Sequence, residues 1–456
     1  MHNNQAHPNI LFIMVDQHRF DYLNCAGAEF IKTPNLDRLA ERGIRFENCY
    51  TNAPVCAPAR IALATGLQAH RFGGQSNAIF LPLSRQTYYQ RLRDTGYRIG
   101  CVGKLDLAKP LGNNSDGARP ACFSWGFTHP LECEGKMHAG QGNGKPFGPY
   151  THYLQQKGLL EDFNADYKKR RQNGYALSAW DSVLPSEDFE DAYIGRQSAT
   201  WINQALDDYP WHLFVSFVGP HDPFDPPKEY AEQYRNAEMP EAIVDSLKEK
   251  PQHIHHRQID ASLEQIAVCR RQYCAAIELI DHQIGEILTA LKNRGMMDNT
   301  YVIFSSDHGE MLGDHGLFTK GVAYDPSIRV PLIVSGPGIG CGRISTAMIE
   351  LIDINATICD LAGLEKQEGI DARSFASLLR GENETHREEV FSCLRHFRCV
   401  RTPQWKMIEN VNDIIELYNM ETDPQELENL AQQQKGTLQE MNQRIQERWL
   451  EGKWNR

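Results

Sequence analysis

The sequence predicts an α/β fold: a large mixed, mostly parallel sheet flanked by helices, with a smaller C-terminal α+β subdomain. Three observations predict it. Several short apolar runs are continuous rather than alternating, as in strands covered on both faces. Stretches with helical spacing separate them, the pattern of crossover connections in a parallel sheet. Beyond about Arg380 the pattern changes to closely spaced short strands and one closing helix.

In order, Asn9–Val15 (N-I-L-F-I-M-V) reads as a buried strand ending at the polar pair Asp16-Gln17. Asn35–Arg42 has helical spacing and stops at Gly43, a residue suited to a helix C-terminus. The helical stretch Ser84–Asp94 and the strand Arg98–Val102 repeat that alternation. Residues 113–173 are rich in Gly, Pro, Asn and His with few periodic apolar positions, which predicts long loops over the sheet. Glu187–Leu206 then predicts a helix and His212–Val218 a buried strand. Arg270–Arg294 predicts a helix ended by Gly295, and Thr300–Phe304 a strand running into Ser305-Ser306-Asp307-His308-Gly309. Val390–Leu394, Cys399–Arg401, Trp405–Glu409 and Glu416–Tyr418 predict a small antiparallel sheet, with a helix over about Gln425–Leu450. The expected division is therefore a main body over 1–380 and a subdomain over 381–456.

Composition narrows the function. With 456 residues and 41% hydrophobic content the chain can bury a sizeable core. Lys and Arg total 47 against 59 Asp and Glu, a net charge of −12, which argues against general nucleic-acid binding but leaves room for a small anionic substrate in a locally positive pocket. A mean hydropathy of −0.51 and the lack of a long apolar run argue against a membrane span of ~20 residues. The polar N-terminus has no signal pattern, and Ile10–Val15 is shorter than a signal core of ~7–15 residues, so a cytoplasmic protein is expected. Twelve cysteines without a C-x-x-C pair are too sparse for a disulfide scaffold.

Ligands of open α/β sheets bind at the carboxyl ends of strands. Asp16, His221 and Asp307-His308 each follow a predicted strand, and Lys104 follows a fourth. Converging strand ends would gather these distant residues. Cys56-Ala57-Pro58-Ala59-Arg60 precedes Ile61–Gly66, which can start a helix. A cysteine at a helix N-terminus with Arg one turn on sits in a positive field that favours an anionic form.

At these residues the sequence resembles the sulfatase family of the alkaline-phosphatase superfamily, in which the cysteine of C-x-P-x-R is oxidised to formylglycine and its hydrate is the nucleophile. Further matching blocks are Asn9–Gln17, Thr33–Leu39, Gly103-Lys104, Pro220–Phe224, Ser306–Glu310, Leu312–Lys320, Arg329–Pro337 and Leu417–Leu430. The resemblance implies that 1–380 is an alkaline-phosphatase-like catalytic domain. It implies that Asp16, Gln17, Asp307 and His308 hold a divalent cation, Ca²⁺ by family precedent, with Mg²⁺ and Mn²⁺ as alternatives. Arg60 would orient the diol hydroxyls, Lys104 and Lys320 contact the sulfate, and His221 protonate the leaving group. Asn77 would offer a substrate-side amide. The implied partners are a small anionic sulfate ester, a separate formylglycine-generating enzyme and, for assembly, further copies of the chain meeting through the C-terminal region.

Two departures stand out. Many relatives carry a second Asp where this chain has Gln17, which lowers the ligand charge by one. Many read G-K-x-H where this chain reads Gly103-Lys104-Leu105-Asp106, and a carboxylate there repels sulfate unless paired with Lys104 or protonated. Hydrolysis of a sulfate monoester, of a carbohydrate or an aryl alcohol, is the first reading. A phosphonate monoester or phosphodiester hydrolase on the same residues is the second, and a catalytically silent binding protein the third. The loops at 113–173 and 222–260 are expected to form the outer pocket, and Trp125, Tyr150, Tyr153 and Trp180 would suit a sugar there. The H-I-H-H run at His253–His256 reads as a solvated loop, Asp314-His315 as packing, and Gly140–Gly148 as a weak phosphate cradle.

Overall fold

Eight strands form the main sheet: β1 (Asn9–Asp16), β2 (Gly43–Tyr50), β3 (Arg98–Gly103), β4 (His129–Glu132), β5 (Trp211–Pro220), β6 (Thr300–Ser306), β7 (Arg329–Ser335) and β8 (Arg343–Glu350). The computed structural model describes residues 7–108, 119–141 and 144–449. The spatial order is β4-β3-β5-β1-β6-β7-β2-β8. Only β7 runs against its neighbours, β6 and β2; every other pair is parallel. The central strand explains its own sequence. Ile10, Phe12 and Met14 face one apolar cluster and Leu11, Ile13 and Val15 the other, so no position is free to be polar until the strand ends.

The helix Cys56–Thr65 packs on the first face, and Glu190–Gln204 and the long helix Leu263–Asn293 pack on the second. Register then fixes the site. Asp16 pairs with Pro220, and Val15 with Ser306, so Asp16, His221 and Asp307 leave three adjacent parallel strands at the same level. In the next strand out, Gly103 pairs with Ser216. A Cβ on Gly103, whose φ is +106°, would meet the Ser216 carbonyl oxygen at 1.9 Å, so only glycine lets the chain turn there and deliver Lys104.

Several expectations need correction. The 113–173 stretch is not all loop. It contributes β4 at the sheet edge and the helices Pro149–Lys157 and Leu160–Asn173. Their buried faces are Tyr150 and Leu154, then Leu160, Phe163 and Tyr167, a helical spacing hidden among polar residues. Residues 113–118, and 142–143 of the glycine-rich run, lie outside the described residues. Strands β2 and β8 carry too little continuous apolar sequence to stand out, and the apolar run of β7 is interrupted by Pro331. The long helix starts at Leu263, where Ser262 and Gln265 form a capping box. The closing helix spans Lys435–Trp449, because Asp423 ties the preceding backbone into turns at Leu427 and Glu428. Residue 450, where that helix was expected to end, lies outside the described residues.

The second sheet, β9 (Val390–Leu394), β10 (Phe397–Arg401), β11 (Trp405–Asn410) and β12 (Glu416–Asn419), is antiparallel in the order β12-β11-β10-β9. Its core is continuous with the main body: Tyr50, Met311, Leu317 and Ile328 share one apolar cluster with Phe397, Met407, Leu417 and Trp449. Charge joins the two as well. Lys406, fully buried on β11, bonds Asp325 at 2.8 Å and Glu426 at 2.7 Å. Removing the cation strands two buried carboxylates, so Lys406→Met is expected to cost ~3–5 kcal/mol in urea unfolding. A loss below ~1 kcal/mol would mean that the carboxylates do not depend on it.

Candidate active site

The helix Cys56–Thr65 is buried along its whole length, and its first residue is Cys56. Such a helix start leaves backbone N–H groups without partners inside the helix. Asn77 supplies one, its Oδ1 accepting from Ala57 N at 3.0 Å. One turn on, Arg60 runs back beneath the strand ends. Its Nε donates to Asp307 Oδ2 at 2.8 Å, and Nη1 donates to the Lys104 carbonyl and to Ser216 Oγ, both at 2.7 Å. Nη2 lies 3.5 Å from Asp16 Oδ2 and has no hydrogen-bond partner among the described residues. Asp16 also bonds the Lys104 ammonium. Burial alone would raise its pKa, but Lys104, His221 and Arg60 hold the carboxyl well below its ordinary range.

Around the thiol, Cys56 Sγ lies 3.2 Å from His308 Nε2 and 3.8 Å from Asp16 Oδ1. His308 Nδ1 is 3.0 Å from its neighbour's carbonyl, Gly309 O, which makes Nδ1 the donor and turns the Nε2 lone pair toward Cys56 and Asp16. One ligand atom each from Asp16, Cys56, Asp307 and His308 lies within 4.8 Å of the others, and all four residues are buried.

Gln17 closes the second side. Its Nε2 donates to Asp222 Oδ1 at 3.2 Å and to Glu310 Oε2, and its Oε1 accepts from Lys320. Two carboxylates on one end fix which end of the amide is nitrogen. Burial and Asp222 push the Glu310 pKa up, while His221 and Lys320 hold Asp222 below the usual carboxylate range despite burial. Glu310 Oε1 accepts from the backbone of Leu312 at 3.1 Å and of Thr319, tying down the loop that carries Lys320. Lys320 in turn bonds His221 Nε2, and His221 Nδ1 is 2.6 Å from the Asp222 carbonyl. Gln17 (φ 72°), Asp106 (55°), Leu312 (46°) and Thr319 (65°) all hold the left-handed backbone region, so strain concentrates here.

A cavity of about 310 Å³ opens above this cluster, lined by Asn77, Lys104, Lys136, His138, His221 and Lys320 among others. Asp106, expected against the substrate, is not on its wall; it lies behind Lys104, 3.2 Å from the ammonium. Trp125 and Tyr150 fill the core, Tyr153 packs on Tyr193, and Trp180 stacks on Arg170, so none of the four aromatic residues lines the cavity. Two functional positions were missed. Lys136 is buried, bonds Asp225 at 2.6 Å and holds the carbonyls of His221 and Pro223 at 3.0 and 2.9 Å. Arg257 donates to the Lys320 and Gly321 carbonyls, at 2.5 and 3.0 Å. Lys136 falls in the stretch read as loop, and Arg257 follows the histidine run directly, but neither has a local sequence signal for its long-range contacts. That run forms the short helix Gln252–His256, with His253 packed on His396 rather than solvated. Asp314 pairs with Arg19 and Arg270, and His315 with Asp245.

The donors fit a hard divalent cation once oxygen stands at position 56. Asp16 and Asp307 are hard carboxylate ligands and His308 is the single nitrogen, while the Gln17 amide oxygen accepts from Lys320; Arg60 Nη2, 3.5 Å from Asp16 and without a hydrogen bond, has a donor left for an oxygen at residue 56. A thiolate there would instead favour a softer ion.

Comparison with known proteins agrees with this geometry. The Sulfatase family model matches residues 8–364, and the model for the C-terminal part of N-sulphoglucosamine sulphohydrolase matches 313–453. A choline-sulfatase of Rhizobium meliloti (strain 1021) is 31% identical over 94% of this chain and 84% of its own length. An arylsulfatase of Clostridium perfringens (strain 13 / Type A) is 29% identical over 93% of this chain and 90% of its own. The crystal structure of phosphonate monoester hydrolase of Agrobacterium radiobacter superposes with a TM-score of 0.82 at 25% identity, covering 96% of this chain and 95% of that one.

The amide at position 17 is testable. Gln17→Glu places a third carboxylate against Asp222 and Glu310 and is expected to cost ~3 kcal/mol in the metal-free protein. Adding Glu310→Gln restores a donor and should recover most of the loss in melting temperature. Unchanged melting of the single variant would show that the two carboxylates do not select the amide.

Proposed function

This chain belongs to the sulfatase family, and from that premise we propose that it is a formylglycine-dependent sulfatase releasing inorganic sulfate from a sulfate monoester of a carbohydrate. The observation that carries the reading is Cys56 at the start of a buried helix, with Arg60 one turn on, ringed by Asp16, Asp307 and His308. Coarsely, the protein is a hydrolase of the alkaline-phosphatase superfamily acting on an anionic monoester at that residue.

Conversion of Cys56 to formylglycine by a maturation enzyme would supply a hydrated aldehyde, a diol whose one hydroxyl could displace the alcohol from sulfur and whose other could then lose its proton as sulfate departs. Asp16, Gln17, Asp307 and His308 would hold the divalent cation, Ca²⁺ in this proposal, which supplies positive charge beside the attacking and sulfuryl oxygens. Arg60 is oriented by Asp307, which leaves Nη2 to hold an oxygen at position 56. Lys104 and Lys320 border the cavity and would meet the charge spreading over the transferring group. His221 is held at Nδ1 by the Asp222 carbonyl, so Nε2, which also meets Lys320, is the atom that would give a proton to the leaving oxygen. Lys136 fixes the His221 backbone.

The carbohydrate assignment rests on the cavity wall. Asn77, His138 and Gln141 stand on it and, among the described residues, no Phe, Tyr or Trp does, which suits a hydroxyl-rich alcohol better than an aryl group. Phosphonate monoester hydrolysis is the second reading, supported by the likeness to the Agrobacterium radiobacter enzyme.

Two measurements test the proposal. Protein made in a host with the maturation enzyme should carry an aldehyde at residue 56 by peptide mass spectrometry, and Cys56→Ala should abolish turnover. Active enzyme with an unmodified cysteine would overturn the nucleophile. His221→Ala should lower kcat on an alkyl or sugar sulfate by ~10²–10⁴-fold, and far less on p-nitrophenyl sulfate, whose phenoxide leaves without a proton. Equal losses on both would remove His221 from the acid role.

A further inference from the structure

Of the three lysines on the cavity wall among the described residues, Lys104 and Lys136 are paired with carboxylates. Lys104 bonds Asp16 on one side and Asp106 on the other, and Lys136 is paired with Asp225. Asp16 belongs to the cation-holding group, so its charge has an evident use. Asp106 does not: it reaches neither that group nor the cavity wall, and it is buried behind Lys104 in a left-handed backbone conformation. A carboxylate in such a position is costly to bury, and among the groups that compensate it are the Arg60 guanidinium and the Lys104 ammonium, which faces the substrate.

We propose that Asp106 is a specificity-determining residue that, acting through Lys104, makes this site accept singly charged ester groups and reject doubly charged ones. A sulfate monoester, a phosphonate monoester and a phosphodiester each bring one negative charge to the transferring group, whereas a phosphate monoester brings ~1.5–2 at neutral pH. With Lys104 neutralised from behind, one charge is matched and the second meets the Asp106 field. At ~6 Å and an effective dielectric of ~20, the extra charge disfavours the dianion by about 10–100-fold. The inference rests on the reading of this site as an anionic monoester hydrolase, but not on sulfate as the preferred ester.

The test is kcat/KM of mature enzyme on p-nitrophenyl sulfate, p-nitrophenyl phenylphosphonate and p-nitrophenyl phosphate. Asp106→Asn is expected to raise the phosphate-to-sulfate ratio tenfold or more and to leave the phosphonate-to-sulfate ratio within about twofold. Asp106→Glu, which keeps the charge, should keep the wild-type ratios even if all three rates fall. A purely structural role would lower the three rates together in both variants, and that result overturns the proposal. Wild-type enzyme gives a reading that needs no variant. In alkaline buffer, phenylphosphonate, a dianion, should inhibit at least tenfold more weakly than its monomethyl ester, a monoanion; equal inhibition overturns the proposal. Preference of the wild type for p-nitrophenyl phenylphosphonate over p-nitrophenyl sulfate would sink the sulfatase reading alone, because both substrates are monoanions.

Discussion

The site is organised around one buried guanidinium. Arg60 reaches from the helix behind Cys56 to Asp307 at the end of β6, to the Lys104 carbonyl beyond β3, to Ser216 within β5 and to the edge of Asp16 at the end of β1. One side chain thereby ties four strands to the helix that begins at Cys56. A planar, permanently charged fork can do this where a lysine could not, because its donors leave in fixed directions. The cost of burying that charge is offset by Asp307 and Asp16, and the cost of burying those carboxylates is offset by Arg60, Lys104 and His308. Each member is tolerable only because the others are present.

The surrounding layers hold this group by the same means. Glu310 carries the loop of Lys320, Arg257 clamps that loop from the far side, and Lys136 holds the backbone of His221. Asp314, between Arg19 and Arg270, anchors the turn after β1 to the long helix. Apolar packing places the strands; buried ion pairs then fix the few ångströms on which the site depends. The arrangement extends into the C-terminal sheet through Lys406, Asp325 and Glu426, so the second sheet contributes to the rigidity of the first without reaching the thiol.

How far this was legible in the sequence depends on the range of the interaction. Strands β1, β5 and β6 announce themselves because burial on both faces forces unbroken apolar runs, and their polar ends mark the site. Their convergence follows from the parallel-sheet rule. A helix just after Cys56, over Ile61–Gly66, was expected from its own sequence, though it begins at Cys56 itself; the helices at 149–173 were not, because their buried stripes are diluted by Gly, Pro, Gln and Lys. Lys136 and Arg257 could not be read locally: each works through carbonyls distant in sequence, and a lysine or an arginine alone says nothing of a partner 85 or 63 residues away. Asp106 was visible as a departure, but only the structure places it behind Lys104 rather than against a substrate.

The two departures from the resembled pattern are best understood together. Gln17 in place of a carboxylate removes one negative charge beside the cation site, and Asp106 in place of a neutral imidazole adds one behind Lys104. The sum over the site is unchanged, but the charge has moved. At position 17 the move is enforced, since Asp222 and Glu310 both face the amide nitrogen and a carboxylate there would have no donor to offer them. At position 106 the displaced charge settles on the one wall lysine that also touches Asp16. A cation held by this set would meet less negative charge from its ligands, and Lys104, paired with Asp16 and Asp106, has less positive charge to offer the ester. Attraction for the transferring group thus shifts from the lysine toward the cation and Arg60. Such a site can stabilise charge developing on a monoanionic ester without presenting the excess of positive charge that a dianion requires.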